Sequence, residues 1–512
     1  MMHTVLIANR GEIACRIART CRRSGIGTVA VFSDADANAL HVRSCDVAVR
    51  LPGTAPADTY LRADLLVDAA RRAGADAVHP GYGFLAESAD FATAVIVAGL
   101  TWIGPPPAAI AAMGSKIEAK ALMRAAGVPV LPDSTVEGAT DLATIGYPML
   151  VKASAGGGGR GMRIVTAPDE LDVALASAER EAVAAFGDGR VFCERYVERG
   201  RHVEIQILAD RHGNVVSLHE RECSIQRRHQ KIVEECPSPA VDADLRQRMS
   251  AAAITAARSV GYEGAGTVEF LLGDDGTFWF LEMNTRLQVE HPVTELVTGL
   301  DLVAMQLIVA AGGALPPAAL DAPLDGHAIE VRLTAEDPAA GYRPSSGVFT
   351  TFDIDDAAVR VDSGVATGST VPPFYDSMVA KVIAHGPTRE QAIRTLRAAL
   401  ATARLHGPVT NRDQLVRILD HPAFVAGDLH TGFLDDHPCG ERIDGDVRLA
   451  AAAVALAEQA ANRVAATVQS GIPAGWRNNP AVEQRVELAD GEATIAVGYC
   501  GGREASVSVD GE

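Results

Sequence analysis

Lysine is scarce in this 512-residue sequence: 5 residues, against 41 arginines. Positive charge is short overall, with 46 basic against 65 acidic side chains and a net charge of −19. Such a field repels phosphate backbones, which excludes a general nucleic-acid binder; an anionic substrate would need a local cluster of cations. Cysteine is sparse too. The 8 residues form no CxxC pair, so zinc-ribbon and thioredoxin readings fail, and 8 are too few to staple a chain of this length. We read them as reduced thiols of a cytoplasmic protein. Uninterrupted apolar runs of 18 residues are missing, which argues against a membrane span. The apolar run in MMHTVLIANRGE is shorter than a signal peptide requires. What remains is ordinary for a globular protein: 48% hydrophobic and 22% charged residues. At roughly 150 residues per domain the length suggests about three domains.

The bland cause of the lysine deficit is a coding bias toward Arg, Ala and Gly. Under that bias each surviving lysine marks a place where arginine does not substitute. They are Lys116, Lys120, Lys152, Lys231 and Lys381. A compact ammonium suits a phosphate oxygen in a narrow site where a guanidinium fork does not fit. Lys116 follows Met113-Gly114-Ser115 at a helix start, where the dipole also favours anions. Lys120 is expected on a helix surface, and Lys381 receives no role.

Along the chain, the first 110 residues alternate strand and helix. Thr4–Ala8, Thr28–Phe32 and Ala77–His79 read as strands, with helices at Glu12–Arg23 and Arg62–Arg72. That alternation predicts a parallel sheet, with ligand-facing loops at Asn9–Glu12 and His79–Glu87. A small lobe at about 130–205 carries strands Met149–Lys152, Met162–Val165 and Val191–Tyr196 and a helix at Asp169–Phe186. Hairpins and a helix at Asp242–Ser259 follow, then mixed α/β to about 435. The tail has an Ala-rich helical pattern at 447–467 and short strands that stop mid-pattern at Glu512. Three short strands make a marginal sheet, so we expect the polypeptide to continue or a partner to complete it.

Four motifs carry chemistry. In Val151–Met162, four consecutive glycines (Gly156 to Gly159) lie between two strands, after Lys152. Without Cβ atoms their N–H groups approach phosphate oxygens closely; the alternative is a floppy surface turn. It is not a Walker loop, which needs GxxxxGK[ST] opening a helix. Next, Gly264–Leu272 and Thr277–Asn284 read as a hairpin, with Asp275-Gly276 as a two-residue type I′ turn. Glu269 then faces Glu282, and Asn284 shares their side. Opposed carboxylates destabilise a hairpin unless a cation sits between them, and Mg²⁺ or Mn²⁺ bridging to nucleotide phosphates is such a cation. Two solvated surface glutamates are the alternative.

The third motif runs on from Glu282 to Pro292. If extended, it lines Glu282, Asn284, Arg286, Gln288 and Glu290 on one face, and Met283, Leu287 and Val289 on the other. This looks like a small-anion site, with Arg286 on the anion and Glu290 as general base. The fourth is His219–Lys231, read as a cluster for polyanionic ATP or bicarbonate rather than a nucleic-acid patch, since it has no interleaved aromatics.

Taken in order, IANRGEIACRI, HPGYGFLAES, MGSK, KASAGGGGRGM, HVEIQ, ERECSIQRRHQK, EMNTRLQVEHPVTE, and VRLTAEDP with YDSM, over about residues 3–435, resemble biotin carboxylase, an ATP-grasp enzyme. The resemblance implies an α/β and α+β architecture: a Rossmann-like preATP-grasp domain at 1–112, an ATP-grasp core at 113–326 with a glycine-loop lid at about 130–205, a C-terminal biotin carboxylase domain at 327–437, and a helical linker with an incomplete β region at 438–512. It implies that ATP and bicarbonate form carboxyphosphate, whose CO₂ passes to N1′ of biotin. By position, Lys116, Lys152, Gly157, Gly158, Gly159, Glu194, His202, Gln226 and His229 would bind nucleotide. Glu269, Glu282 and Asn284 would hold metal. Lys231, Arg286, Gln288 and Val289 would bind bicarbonate, Glu290 would deprotonate it, and Arg332 would stabilise the biotin enolate. Ala155 departs from the family's run of glycines.

The tail, with Gly475-Trp476-Arg477-Asn478, is similar to the region after the carboxylase domain in acyl-CoA carboxylase α subunits. Those end in a biotinyl domain with Met-Lys-Met, which does not occur here. A carrier domain and a carboxyltransferase β subunit are therefore expected partners, and a homo-oligomer is expected. The alternatives are another ATP-grasp ligase, or a chain inactive without its partner subunit.

Overall fold

The computed structural model describes residues 2–135, 145–154, 162–440, 447–468, 483–490, 493–500 and 506–511. Gly157, Gly158 and Gly159, Ala155 and the Gly475–Asn478 motif lie outside them. The chain divides into two units, Met1–Gly440 and Glu441–Glu512.

The larger unit opens with five parallel strands: β1 (Thr4–Ile7), β2 (Gly27–Phe32), β3 (Val47–Arg50), β4 (Ala77–His79) and β5 (Thr101–Trp102), in the order β3-β2-β1-β4-β5. Val5, Leu6 and Ile7 are apolar in succession because helices cover both faces of the sheet, so both faces are buried. The loops after β1 and β4 are laced together: the Asn9 amide donates to the carbonyls of Pro80 (2.8 Å) and Tyr82 (2.7 Å). Gly81 must be glycine here. Its φ is +65°, and a Cβ would come within 2.9 Å of the Asn9 amide nitrogen.

The lobe has its own four-stranded antiparallel sheet. β6 (Asp133–Thr135), β7 (Met149–Ala153), β8 (Arg163–Val165) and β9 (Val191–Arg195) lie in the order β6-β9-β7-β8, under helix Leu171–Phe186. Its small core is Ile145, Met149, Val151, Val165, Ala178 and Cys193.

The platform of the unit is an eight-stranded antiparallel sheet. It contains β10 (Arg201–Ala209), β11 (Val215–Arg227), β12 (Gln230–Cys236), β13 (Gly264–Leu272), β14 (Phe278–Asn284) and β15 (His327–Thr334). Strands Met378–Gly386 and Arg360–Ser363 complete it, in the order β14-β13-β10-β11-β12-β15, then 378–386, then 360–363. One continuous hydrogen-bonded surface thus carries residues from 201 to 386.

The β13–β14 hairpin differs from expectation in a way that cancels. Gly273 donates to the Thr277 carbonyl (2.8 Å) and Gly276 has φ +75°, so the loop holds three residues with a left-handed glycine last, not two. That sets Phe270 opposite Phe280. A bulge at Leu281 then shifts the register by one, and Glu269 faces Glu282 after all. The strand ends at Asn284. The stretch 285–290 is therefore not extended, contrary to the single-face reading; it turns into helix His291–Thr298.

The smaller unit packs helix Val447–Ala465 on three antiparallel strands, Gln484–Asp490, Ala493–Cys500 and Ser506–Val509, around Ala451, Ala455, Ile495 and Val497. Among the described residues no single helix is long and apolar enough to cross a membrane.

Candidate active site

A cavity of about 590 Å³ opens over the large sheet. It is lined by the Asn9–Ile13 and Tyr82–Phe84 loops, by His202, His229, Lys231, Glu269, Glu282, Asn284, Arg286, Gln288, Val289 and Glu290, and by Arg332 and the Phe374–Met378 segment. Every predicted metal, bicarbonate and catalytic residue therefore borders one space.

At its centre stands Lys231, from β12. Its ammonium reaches Glu204 (2.5 Å), Glu269 (3.0 Å) and Glu290. Glu290, fully buried, is held from the other side by Arg332 at 3.0 Å. Burial alone would push the Glu290 carboxyl up, but Lys231, Arg332 and Arg221 outweigh it and hold it well below the usual carboxylate range. The base candidate is thus ionised at neutral pH, and it binds a proton weakly while these cations hold it.

Arg286 is oriented by three neighbours. It donates to Glu87 (2.8 Å), to the Gln288 amide oxygen (2.8 Å) and to the Asn284 amide oxygen (3.0 Å). Glu269 accepts from Asn284 (2.8 Å) and Gln288 (3.2 Å) and stands 3.0 Å from the His202 ring. Lys231 and His202 more than offset burial and depress the Glu269 carboxyl strongly. Glu282 is the more open carboxylate, 3.5 Å from Lys116. Two carboxylates and an amide oxygen are hard donors, which suits Mg²⁺ or Mn²⁺ rather than a soft metal. Lysines 116 and 231 now stand beside the charge such a cation would balance.

Of the nucleotide candidates, His202 and His229 line this cavity, whereas Lys116, Lys152, Glu194 and Gln226 do not. Gln226 donates to His202 (2.8 Å). Glu194, buried on β9, takes both Lys152 and Lys120 as ion-pair partners. Lys120 is 2% exposed, so its expected surface position is wrong: the helix Lys116–Ala125 turns it against β9, with Asp133 at 3.5 Å and the Phe192 ring 5.1 Å away. His229 sits in the two-residue turn Arg228-His229, both left-handed at φ 46° and 66°. Each such conformation costs a non-glycine residue roughly 1–2 kcal/mol, and a turn without Gly or Asn carries no sequence signal.

Several members escaped the sequence reading. Arg221 is fully buried on β11 and donates to Glu204 (2.6 Å), Gln206 (2.7 Å), Thr294 (2.9 Å) and Thr267 (3.1 Å). Arg221 stands among several polar residues of β11, so the sequence carries no signal that this one is buried and needs buried partners. Glu234 accepts from Arg332 (2.5 Å) and faces Glu330 across β12 and β15. Burial pushes Glu234 up to about 7 and Glu330, whose two oxygens lack hydrogen bonds, well above its usual range.

The family models agree with this geometry. Residues 1–110 match the biotin carboxylase N-terminal domain, 115–318 the carbamoyl-phosphate synthase L chain ATP binding domain, and 330–436 the biotin carboxylase C-terminal domain. The biotin carboxylase of Halalkalibacterium halodurans is 49% identical over 444 residues, 85% of this chain and 98% of that protein. Methylcrotonoyl-CoA carboxylase subunit alpha of Dictyostelium discoideum is 44% identical over 522 aligned residues, 98% of this chain and 75% of that protein. The soybean (Glycine max) counterpart is 49% identical over 85% of this chain, which spans 60% of its length. Among solved structures, the biotin carboxylase domain dimer of Hydrogenobacter thermophilus 2-oxoglutarate carboxylase, in complex with MgADP, ADP and bicarbonate, superposes with a TM-score of 0.84 at 42% identity, covering 87% of this chain and all of that one. Campylobacter jejuni biotin carboxylase gives 0.83 at 41% identity, covering 85% of this chain and 99% of that one. Three matched domains in order, around one cavity that gathers the predicted site residues, lead to one conclusion: this chain belongs to the biotin carboxylase family of ATP-dependent ligases.

Proposed function

We propose that this chain catalyses the ATP- and bicarbonate-dependent carboxylation of biotin, as the first half-reaction of an acyl-CoA carboxylase. The observation that carries it is Glu290, buried and ionised between Lys231 and Arg332, beside the carboxylate pair and Arg286. Lys116, Lys152, Glu194, His202, Gln226 and His229, with the glycines at 157, 158 and 159, hold ATP. Glu269, Glu282 and Asn284 hold Mg²⁺ or Mn²⁺, which supplies charge neutralisation on the phosphates when bound. Arg286, Gln288, the Val289 backbone and Lys231 hold bicarbonate.

Glu290 takes the bicarbonate proton. Its low affinity for protons in the free enzyme reflects its two cations; when Lys231 and Arg332 turn to the anionic substrates, that restraint weakens and the carboxylate becomes a stronger base. The deprotonated oxygen attacks the γ-phosphorus of ATP and ADP leaves. The carboxyphosphate so formed splits into CO₂ and phosphate, the released phosphate takes the N1′ proton of biotin, and the resulting enolate, steadied by Arg332, attacks CO₂ through N1′.

The tail supports the acyl-CoA carboxylase assignment: the Dictyostelium α subunit aligns across it. The biotin carrier domain and a carboxyltransferase β subunit are its partners, a second copy of the chain completes a homo-oligomer, and the enzyme works in the cytoplasm, where its thiols stay reduced. The test is bicarbonate-dependent ATP hydrolysis by the purified chain with Mg²⁺, with and without free biotin. Stimulation by biotin is expected; a folded, ATP-binding chain that hydrolyses nothing would overturn an autonomous enzyme.

A further inference from the structure

Lys381 borders no part of the cavity, yet it is a fully buried ammonium in a chain nearly devoid of lysine. It sits on strand Met378–Gly386, opposite Arg332 on one neighbouring strand and Asp362 on the other. Its Nζ donates to the Val289 carbonyl at 2.8 Å and lies 3.3 Å from the Glu12 carboxylate. Glu12, at the start of helix Gly11–Arg23, accepts from the Tyr82 hydroxyl. The turn Val289-Glu290, the N-terminal helix and the Tyr82 loop, all on the cavity wall, are thus tied through one side chain behind it.

The Val289 carbonyl belongs to the peptide that leads into Glu290. Holding it sets the plane of that peptide, hence the direction in which the Glu290 carboxylate leaves the turn. The preceding carbonyl, of Gln288, is held by the His291 ring at 2.7 Å. With both carbonyls held, the Val289 N–H is also aimed. The acceptors at Lys381 are a single carbonyl and a single carboxylate oxygen. In a fully enclosed site with two acceptors, the five donors of a rigid guanidinium fork would leave three unsatisfied, against one for the three-donor ammonium. That accounts for lysine at this position against the bias to arginine.

We propose that Lys381 is a positioning residue for the bicarbonate site, acting through the Val289–Glu290 peptide. The proposal rests on the function argued above. Its test compares Lys381→Met, Lys381→Arg and the charge-balanced pair Lys381→Met with Glu12→Gln against the parent chain, in bicarbonate-dependent ATP hydrolysis at saturating Mg²⁺. KM for bicarbonate, KM for ATP and the thermal midpoint are measured for each. Loss of one buried hydrogen bond predicts a bicarbonate KM raised about tenfold in all three. The ATP KM should stay within about twofold of the parent, because the nucleotide residues do not touch this turn. The paired variant, which buries no lone charge, should melt close to the parent. Bicarbonate KM unchanged in a folded variant, both KM values rising together, or Lys381→Arg matching the parent would each overturn the proposal. A parent chain without bicarbonate-dependent hydrolysis would overturn the functional reading itself, and the positioning role with it.

Discussion

Arg332 and Lys381 stand directly opposite each other on adjacent antiparallel strands, on one face of the large sheet. One grips the Glu290 carboxylate at 3.0 Å; the other grips the Val289 carbonyl at 2.8 Å. Two consecutive residues of a turn are thus clamped by two neighbouring cations from the C-terminal part of the chain. Chemistry on 282–290 depends on strands some 40 to 100 residues further on.

Glu290→Gln should lower bicarbonate-dependent ATP hydrolysis about 10²- to 10⁴-fold, the range for loss of a general base. Nucleotide binding, measured by titration calorimetry with ADP and Mg²⁺, should persist. An active variant would remove Glu290 from the mechanism.

Glu282→Gln should raise the Mg²⁺ concentration for half-maximal hydrolysis about tenfold or more. This carboxylate is the open member of the pair and bears little on packing, so the thermal midpoint should hardly move. An unchanged Mg²⁺ dependence would place the metal elsewhere.

Stability should fall as pH rises from about 5 to beyond 7, because the folded chain keeps protons on buried carboxyls that an unfolded chain releases near 4.5. Among these carboxyls are Glu234, pushed up to about 7 by burial, and Glu330, pushed well above its usual range. A raised folded pKa contributes stability below the unfolded pKa and loses it through the folded one. Glu330→Gln copies the neutral form. It should flatten this slope and raise the midpoint at alkaline pH by a few degrees. A lower midpoint in this variant at pH 8 would mean that Glu330 is ionised in the fold.

Lys120→Met should destabilise the chain by about 3 kcal/mol in urea unfolding, since it strips a cation from the buried Glu194. An exposed helix lysine would cost well under 1 kcal/mol.

Glu87→Gln should raise the bicarbonate KM several-fold with kcat little changed, through loss of the charged partner that aims Arg286. Equal effects on ATP and bicarbonate would mean general damage instead.

Much of this was readable in the chain. Apolar runs with helical patterns between them placed β1, β2 and β4 within a residue of their ends, because local propensity and burial pattern agree there. The carboxylate pair Glu269 and Glu282 was also found, but by two errors that cancel: the loop is one residue longer than its Asp-Gly signal suggested, and the bulge at Leu281 restores the pairing. A bulge answers to packing against other strands, which no local pattern records.

Residue identity settles which groups can donate, accept or carry charge, and order along the chain settles which strands form. Those alone marked the five lysines, the glycine loop and the Glu282–Glu290 series, since chemistry of this kind belongs to single side chains and short spacings. Contacts between segments distant in the chain did the rest. They made Lys120 and Lys381 buried, paired Arg221 with Glu204, set Glu234 against Glu330 and gave Arg286 its Glu87. Each of these depends on which distant elements lie side by side. Burial sets the electrostatic cost of a charge, and burial is a property of the packed chain and not of any stretch within it.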